Sequence, residues 1–214
     1  MRHAKPKRSR RGTLSVMCIA SLFHSLLCCS EDQEDLPSLI TEDIRWVGEL
    51  PIGFPSPSLT ADQAMSPETI ELGRHLFYDQ RLSGNGTMSC ESCHKQAYAF
   101  SDGRQRSVGS TGEETARNAM ALINVVYNSS FNWANPGISA LEDQIVIPMF
   151  GERPIELGVS GYEEEILERI SLDDTYQTLF MKAYPNEKEP INFHNIVRAL
   201  AAFTRSLVSG YSSF

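Results

Sequence analysis

Apolar residues recur at three- to four-residue intervals along three stretches of the last third of the chain. Tyr162, Ile166, Leu167 and Ile170 form the first set, Tyr176, Leu179, Phe180 and Ala183 the second, and Phe193, Ile196, Val197, Leu200, Phe203 and Leu207 the third. Each set falls on one face of a helix. End signals agree: Ser160 and Glu163 have capping-box spacing, Asp173 opens the second stretch, and Gly210 stands where a C-terminal cap of the third belongs. A further helix starts at Ser66-Pro67-Glu68, a cap residue followed by proline and early negative charge. It carries Ile70, Leu72, Leu76 and Phe77 to about Tyr78. Gly73 inside it predicts close packing against something flat or bulky. No segment alternates apolar and polar residues between turn signals, so the predicted fold class is all-α.

Long polar loops separate these helices. Ser83-Gly84-Asn85-Gly86-Thr87 and the segment 101–115, with Gly103, Gly109 and Gly112, predict a loop-rich wrapper around one site. Upstream, Pro37, Pro51, Pro55 and Pro57 interrupt any helix across an acidic stretch, which reads as a tether followed by an extended arm.

The chain has 214 residues and 41% hydrophobic content, which is globular and close to a single domain. Charge is uneven. Of 19 Lys+Arg, six (Arg2, Lys5, Lys7, Arg8, Arg10 and Arg11) lie in residues 1–29 with no acid, leaving 13 against 27 Asp+Glu in the body. A body that acidic argues against nucleic-acid binding. The basic start, an apolar stretch at 14–27, Cys28-Cys29-Ser30 and the acidic run 31–35 have the order of a secretory signal, too short with these flanks to span a membrane. Ending on cysteine, the signal resembles that of a bacterial lipoprotein with Cys29 lipidated, although Cys28 departs from the usual Gly, Ala or Ser before the cleavage point. Ser9-Arg10-Arg11 also resembles a twin-arginine signal, but export of a folded protein conflicts with the chemistry below. The expected location is periplasmic, anchored to the membrane through Cys29. The expected organisation is a signal at 1–29, a tether and arm at 30–64, and one domain at 65–214.

Cys90-Glu91-Ser92-Cys93-His94 carries the sharpest chemistry. Two thiols at this spacing can add to the two vinyl groups of haem, and the adjacent histidine then sits beneath the iron as proximal ligand. Three other readings compete. Structural zinc needs two further ligands, and the body has no other cysteine and only His75 and His194 besides. A redox dithiol expects strands alternating with helices. A local disulfide needs no partner. Burial of a macrocycle would also stabilise a modest, loop-rich domain, so its folding should depend on attachment.

The opposite face of the iron separates a carrier from a catalyst, because a carrier needs a sixth ligand and a catalyst leaves that position open. No histidine occurs between Lys95 and Phe193; Met120, Met149 and Met181 remain as ligands or as core filler. Gln144 and Glu156 flank the apolar run Ile145, Val146, Ile147, Met149 and Phe150. They suit a mainly dry pocket with one hydrogen-bonding amide and one acid/base, or else are ordinary surface polarity.

Taken together, Leu72-Gly73-Arg74-His75-Leu76-Phe77-Tyr78-Asp79-Gln80-Arg81-Leu82-Ser83, the cysteine motif, Ala99-Phe100-Ser101-Asp102-Gly103-Arg104, Arg117-Asn118-Ala119 and Leu141-Glu142-Asp143-Gln144 resemble the bacterial di-haem cytochrome c peroxidase and MauG superfamily. Phe131-Asn132-Trp133-Ala134-Asn135-Pro136-Gly137 and Pro148-Met149-Phe150-Gly151-Glu152-Arg153-Pro154-Ile155-Glu156-Leu157-Gly158 look most like its MbnH branch, which is associated with oxidising tryptophan on a partner protein. The resemblance implies a cytochrome c-like haem domain using hydrogen peroxide and an exported electron-donor or substrate protein. It implies one covalent haem c on Cys90, Cys93 and His94, with Gln144 and Glu156 lining the distal pocket. It further implies that Trp133 relays electrons between two haems and that Asn118 helps hold a calcium ion. The bis-histidine peroxidases place a removable distal histidine where this chain has Ser110 and its neighbours, which implies an iron open without prior reduction. Members continue into a second haem domain, whereas this sequence corresponds to the first. A monohaem electron-transfer domain and an inactive fragment are the alternative readings.

Overall fold

The computed structural model describes residues 47–63 and 65–210. The predicted signal, the lipid-modified Cys29 and the acidic run that follows lie outside them. The described residues form six α-helices joined by loops and single 3₁₀ turns: α1 (Pro67–Tyr78), α2 (Cys90–Cys93), α3 (Leu141–Phe150), α4 (Glu163–Ser171), α5 (Asp174–Ala183) and α6 (Phe193–Ser206). Among them no strand forms; three isolated bridges, Lys95 with Ser101, Val108 with Glu114 and Glu152 with Ile155, close loops. The all-α expectation holds.

The core is the crossing of α1 on α6. Leu72, Leu76 and Phe77 of α1 meet Ile196, Leu200 and Phe203 of α6, all within one cluster and at most 7% exposed. Each fully buried side chain of this kind stabilises by roughly 1.5–3 kcal/mol, against about 0–1 kcal/mol for an exposed ion pair such as Arg74 with Glu71. Apolar burial therefore sets the architecture. Gly73 lets the helices approach, because a Cβ there would overlap the carbonyl of Ala199 and lie 2.8 Å from the Cβ of Phe203. The bulky neighbour expected of Gly73 is thus the backbone of α6.

The start of α1 is as the sequence predicts. Ser66 Oγ accepts from the Thr69 N–H at 3.1 Å, Thr69 Oγ1 accepts from the Ser66 N–H at 2.8 Å, and Pro67 occupies the first turn. Asp173 likewise caps α5, accepting from the Thr175 N–H at 2.8 Å. Two end signals read differently. Ser160 does not cap α4; its hydroxyl donates to the Phe150 carbonyl at 2.8 Å, and Tyr162 stands at the cap position. Gly210 does not cap α6, which ends at Ser206 with Leu207 at the cap position. The tail beyond it is held by Asn124, whose backbone N–H donates to Leu207 O at 2.8 Å and whose side chain pairs with the Ser209 backbone. Gly210 instead abuts the arm, where a Cβ would come within 2.7 Å of Pro51 and Phe54. The arm is packed over 47–63: Pro51 and Pro57 are buried, and Phe54 stacks edge-on against Tyr127, whose hydroxyl donates to Pro55 O at 3.0 Å.

Candidate functional site

Helix α2 is a single turn that spaces Cys90 and Cys93 along one side. Ser92 Oγ accepts from the Ser89 N–H at 3.0 Å, and the His94 N–H closes the turn on Cys90 O at 2.9 Å. Both thiols are free and half-buried. Burial pushes the Cys90 thiol up to about 12. Cys93 is raised as well, by burial first and then by the negative charges of Glu156 and Asp102. Among the described residues no three His, Cys, Asp or Glu side chains converge as zinc ligands would.

His94 is oriented by backbone. Its Nδ1 donates to Phe100 O at 2.8 Å and Met120 O at 3.0 Å, which places the ring proton there and leaves the Nε2 lone pair open. Burial lowers its basicity and so favours the neutral imidazole, the form that binds metal. The Phe100 carbonyl is aimed by a tight turn in which Lys95 donates to Ser101 O, Phe100 donates to Lys95 O, and Ala99 and Phe100 both adopt left-handed φ, 57° and 58°. That conformation costs roughly 1–2 kcal/mol per non-glycine residue, and the turn keeps it where the imidazole needs an acceptor. Ser101 Oγ holds the segment that carries the other acceptor by donating to Ala119 O at 2.7 Å.

Glu156 arrives by a different route. The last carbonyls of α3 lack helical partners, and the returning chain supplies them: the Leu157 N–H donates to Pro148 O and the Val159 N–H to Met149 O, both at 2.9 Å. The intervening loop holds Glu156 half-buried, where burial raises its carboxyl and its charge is felt by Cys93. The loop 107–115 braces it. Gly109 packs directly on the Ile155 carbonyl, the Ser110 N–H donates to Glu156 O at 2.8 Å, and Asn85 Nδ2 donates to Ser110 O at 2.8 Å.

Gln144 lies half-buried on α3, and its Oε1 accepts from Asn132 Nδ2 at 2.8 Å. Asn132 Oδ1 in turn accepts from the Ala134 and Asn135 N–H groups, folding the loop that carries Trp133. Trp133 is 78% exposed. Asn118 is exposed and donates to Ala119 O. Met149 is only 1% exposed, in the core; Met181 is 57% exposed on α5; Met120 contributes its carbonyl to His94. Asn132, Asn85 and the two carbonyls under His94 were not singled out by sequence. Only Asn132 carried a signal, as the first residue of an Asn-x-Ala-Asn turn.

A family model described as di-haem cytochrome c peroxidase matches residues 67–214. The chain belongs to that family. It is 35% identical over 150 residues to the methylamine utilization protein MauG of Methylorubrum extorquens, covering 70% of this chain and 41% of that protein. It is 31% identical over 160 residues to the cytochrome-c peroxidase IdrP1 of a Pseudomonas species, covering 74% and 40%. A solved structure, a MauG-like protein associated with microbial copper homeostasis, superposes with a TM-score of 0.74 at 46% identity over 77% of this chain and 47% of that one. The chain therefore spans about half the length of the relatives it matches. Members of the di-haem peroxidase family carry covalently bound haem c. The residues here fit such a group: two free thiols on one turn and an imidazole with its Nε2 open.

Proposed function

We propose that this chain is the peroxide-reactive haem half of an exported di-haem oxidoreductase. Cys90 and Cys93 would tether one haem c and His94 would hold its iron through Nε2. The bound group supplies the two-electron chemistry with hydrogen peroxide. The protein's own part is proton handling and orientation. Glu156, whose proton affinity burial raises, takes a proton from one peroxide oxygen and returns it to the other. The Gln144 amide, its oxygen occupied by Asn132, donates from Nε2 to the peroxide. Trp133 would pass electrons toward a second haem, and the final reductant would be an exported donor or a tryptophan of a partner protein. Asn118 would contribute to calcium binding. The signal at 1–29 would deliver the chain to the periplasm, with Cys29 as lipid anchor.

The observation that carries this reading is the half-buried Glu156, fixed by Ser110 and Gly109 and near enough for its charge to raise the Cys93 thiol. The methionines argue against a simple carrier, since Met149 is committed to the core and Met120 serves the proximal side of the imidazole. Expression with a periplasmic haem-ligation system should give a haem stain that survives denaturation and disappears when Cys90 and Cys93 are both changed to serine. The ferric protein should be high-spin and shift on adding peroxide or cyanide. A low-spin spectrum with a methionine charge-transfer band would overturn the catalytic reading in favour of the carrier.

A further inference from the structure

An unbroken aromatic cluster leads from His94 to the protein surface. The ring of Phe77 lies 6.5 Å from that of His94, and Phe77 packs on Tyr78 at 5.3 Å, edge-on at 66°. Phe203 and Phe100 complete the cluster, at 5.1 and 5.9 Å from Phe77, and Phe203 also meets Tyr78 at 6.4 Å. The three phenylalanines are at most 7% exposed, whereas Tyr78 is 42% exposed. Tyr78 is thus the one ring beyond His94 that reaches solvent and the one whose side chain loses an electron readily. Its neighbours Arg74, His75, Arg81 and Tyr176 line, with it, a surface depression of about 710 Å³. The charges there are already paired, Arg74 with Glu71 and Arg81 with Asp79 and Asp173, so a neutral aromatic guest meets no unpaired ion. Tyr176, 3% exposed under the Arg81 guanidinium, closes the floor of the depression and leaves Tyr78 as its accessible ring.

We propose that Tyr78 is an oxidisable surface site, a second exit for the oxidising equivalent, at which small phenolic reductants lodged in this depression are oxidised one electron at a time. This rests on the peroxide-reactive haem reading above. Reduction of hydrogen peroxide to two waters consumes two electrons and two protons. Tyr78 supplies them in two successive one-electron oxidations through Phe77 and His94; each time the phenolic O–H proton passes to solvent in the depression and leaves a neutral tyrosyl radical, so that one peroxide consumes two phenols. A phenol in the depression then gives up one electron and one proton, restoring Tyr78 and leaving as a phenoxyl radical. Tunnelling through packed rings makes the path short, and exposure of Tyr78 puts its oxygen within reach of the donor.

The test mixes the ferric holoprotein with peroxide and follows three signals: the haem absorption band, the radical by electron paramagnetic resonance, and oxidation of guaiacol. A tyrosyl signal is expected in the wild type. Tyr78→Phe, a conservative change at a partly exposed ring, should keep the initial response of the haem band, lose that signal, and oxidise guaiacol several-fold more slowly. Tyr98→Phe, at an exposed tyrosine close to His94 in sequence, should keep both. Persistence of the tyrosyl signal and of guaiacol turnover in Tyr78→Phe, or their loss in Tyr98→Phe alone, would overturn the assignment while leaving the haem reading intact. A haem band indifferent to peroxide in the wild type would overturn both.

Discussion

Asn132 donates from Nδ2 to Oε1 of Gln144 at 2.8 Å, joining the loop that carries Trp133 to the helix that lines the apolar face. The bond fixes which way the Gln144 amide points. With its oxygen engaged, the amide presents N–H groups and acts as a donor, the polarity needed to hold a peroxide oxygen. Asn132→Ala should release that constraint. The expected outcome is slower reaction with peroxide, by roughly the fivefold to tenfold that a lost net hydrogen bond of about 1 kcal/mol implies, with an unchanged haem stain. Stopped-flow mixing checks it, and Asn132→Asp, which accepts but cannot donate, should behave like the alanine variant.

A second tie runs from α3 to the core. Glu142 Oε2 accepts from Arg205 Nη2 at 2.6 Å, and the Arg205 side chain is only 4% exposed. Removing the carboxylate leaves a buried guanidinium without its partner. Glu142→Ala should destabilise by about 3 kcal/mol, at the low end for a broken buried pair because the Glu142 side is 22% exposed. Denaturant titration of the holoprotein would show this as a lower midpoint with an unchanged slope.

Helix identity was legible because apolar periodicity and caps are local. Ser66, Pro67 and Asp173 act within three residues of themselves, and the structure keeps all three. The misread end signals failed through distant competitors. Ser160 had a better acceptor in the Phe150 carbonyl, left over at the end of α3, and Gly210 was needed for contact with Pro51 and Phe54. The cysteine motif was visible for the same local reason. What completes it was not, since the acceptors for His94 are backbone carbonyls of Phe100 and Met120, brought together by left-handed φ at residues whose type does not announce it. Glu156 was singled out by resemblance and by its place beside an apolar run. Its approach to Cys93 depends on hydrogen bonds across the α3 terminus that no spacing rule contains.

The α1–α6 crossing supplies a test of packing alone. Gly73→Ala adds one methyl where the Ala199 carbonyl already stands, and backbone cannot step aside as a side chain would. The gain in helix propensity, about 1 kcal/mol, is smaller than the cost of forcing the helices apart, typically about 1–3 kcal/mol and more against backbone. A net loss of stability is expected, read as a lower thermal midpoint. Because Phe77 and Phe203 flank the crossing, the peroxide response should suffer less than the stability.

Glu156 should show opposite effects on rate and stability. Burial raises its pKa, so the folded state holds this proton more tightly than the unfolded chain does. As pH climbs from below the unfolded value, about 4.3, through the raised folded value, the unfolded chain ionises first and folding stability falls. At neutral pH the wild type carries that cost, and Glu156→Gln, which cannot ionise, does not. The variant should match the wild type in denaturant midpoint at low pH and exceed it at neutral pH. Its reaction with peroxide should be slower by about 10²- to 10⁴-fold, the usual worth of general acid/base assistance. Equal midpoints at neutral pH would mean the carboxyl is not desolvated, and equal peroxide rates would remove it from proton transfer. A variant that is both more stable and slower would identify a carboxyl kept in an unfavourable place for its chemistry.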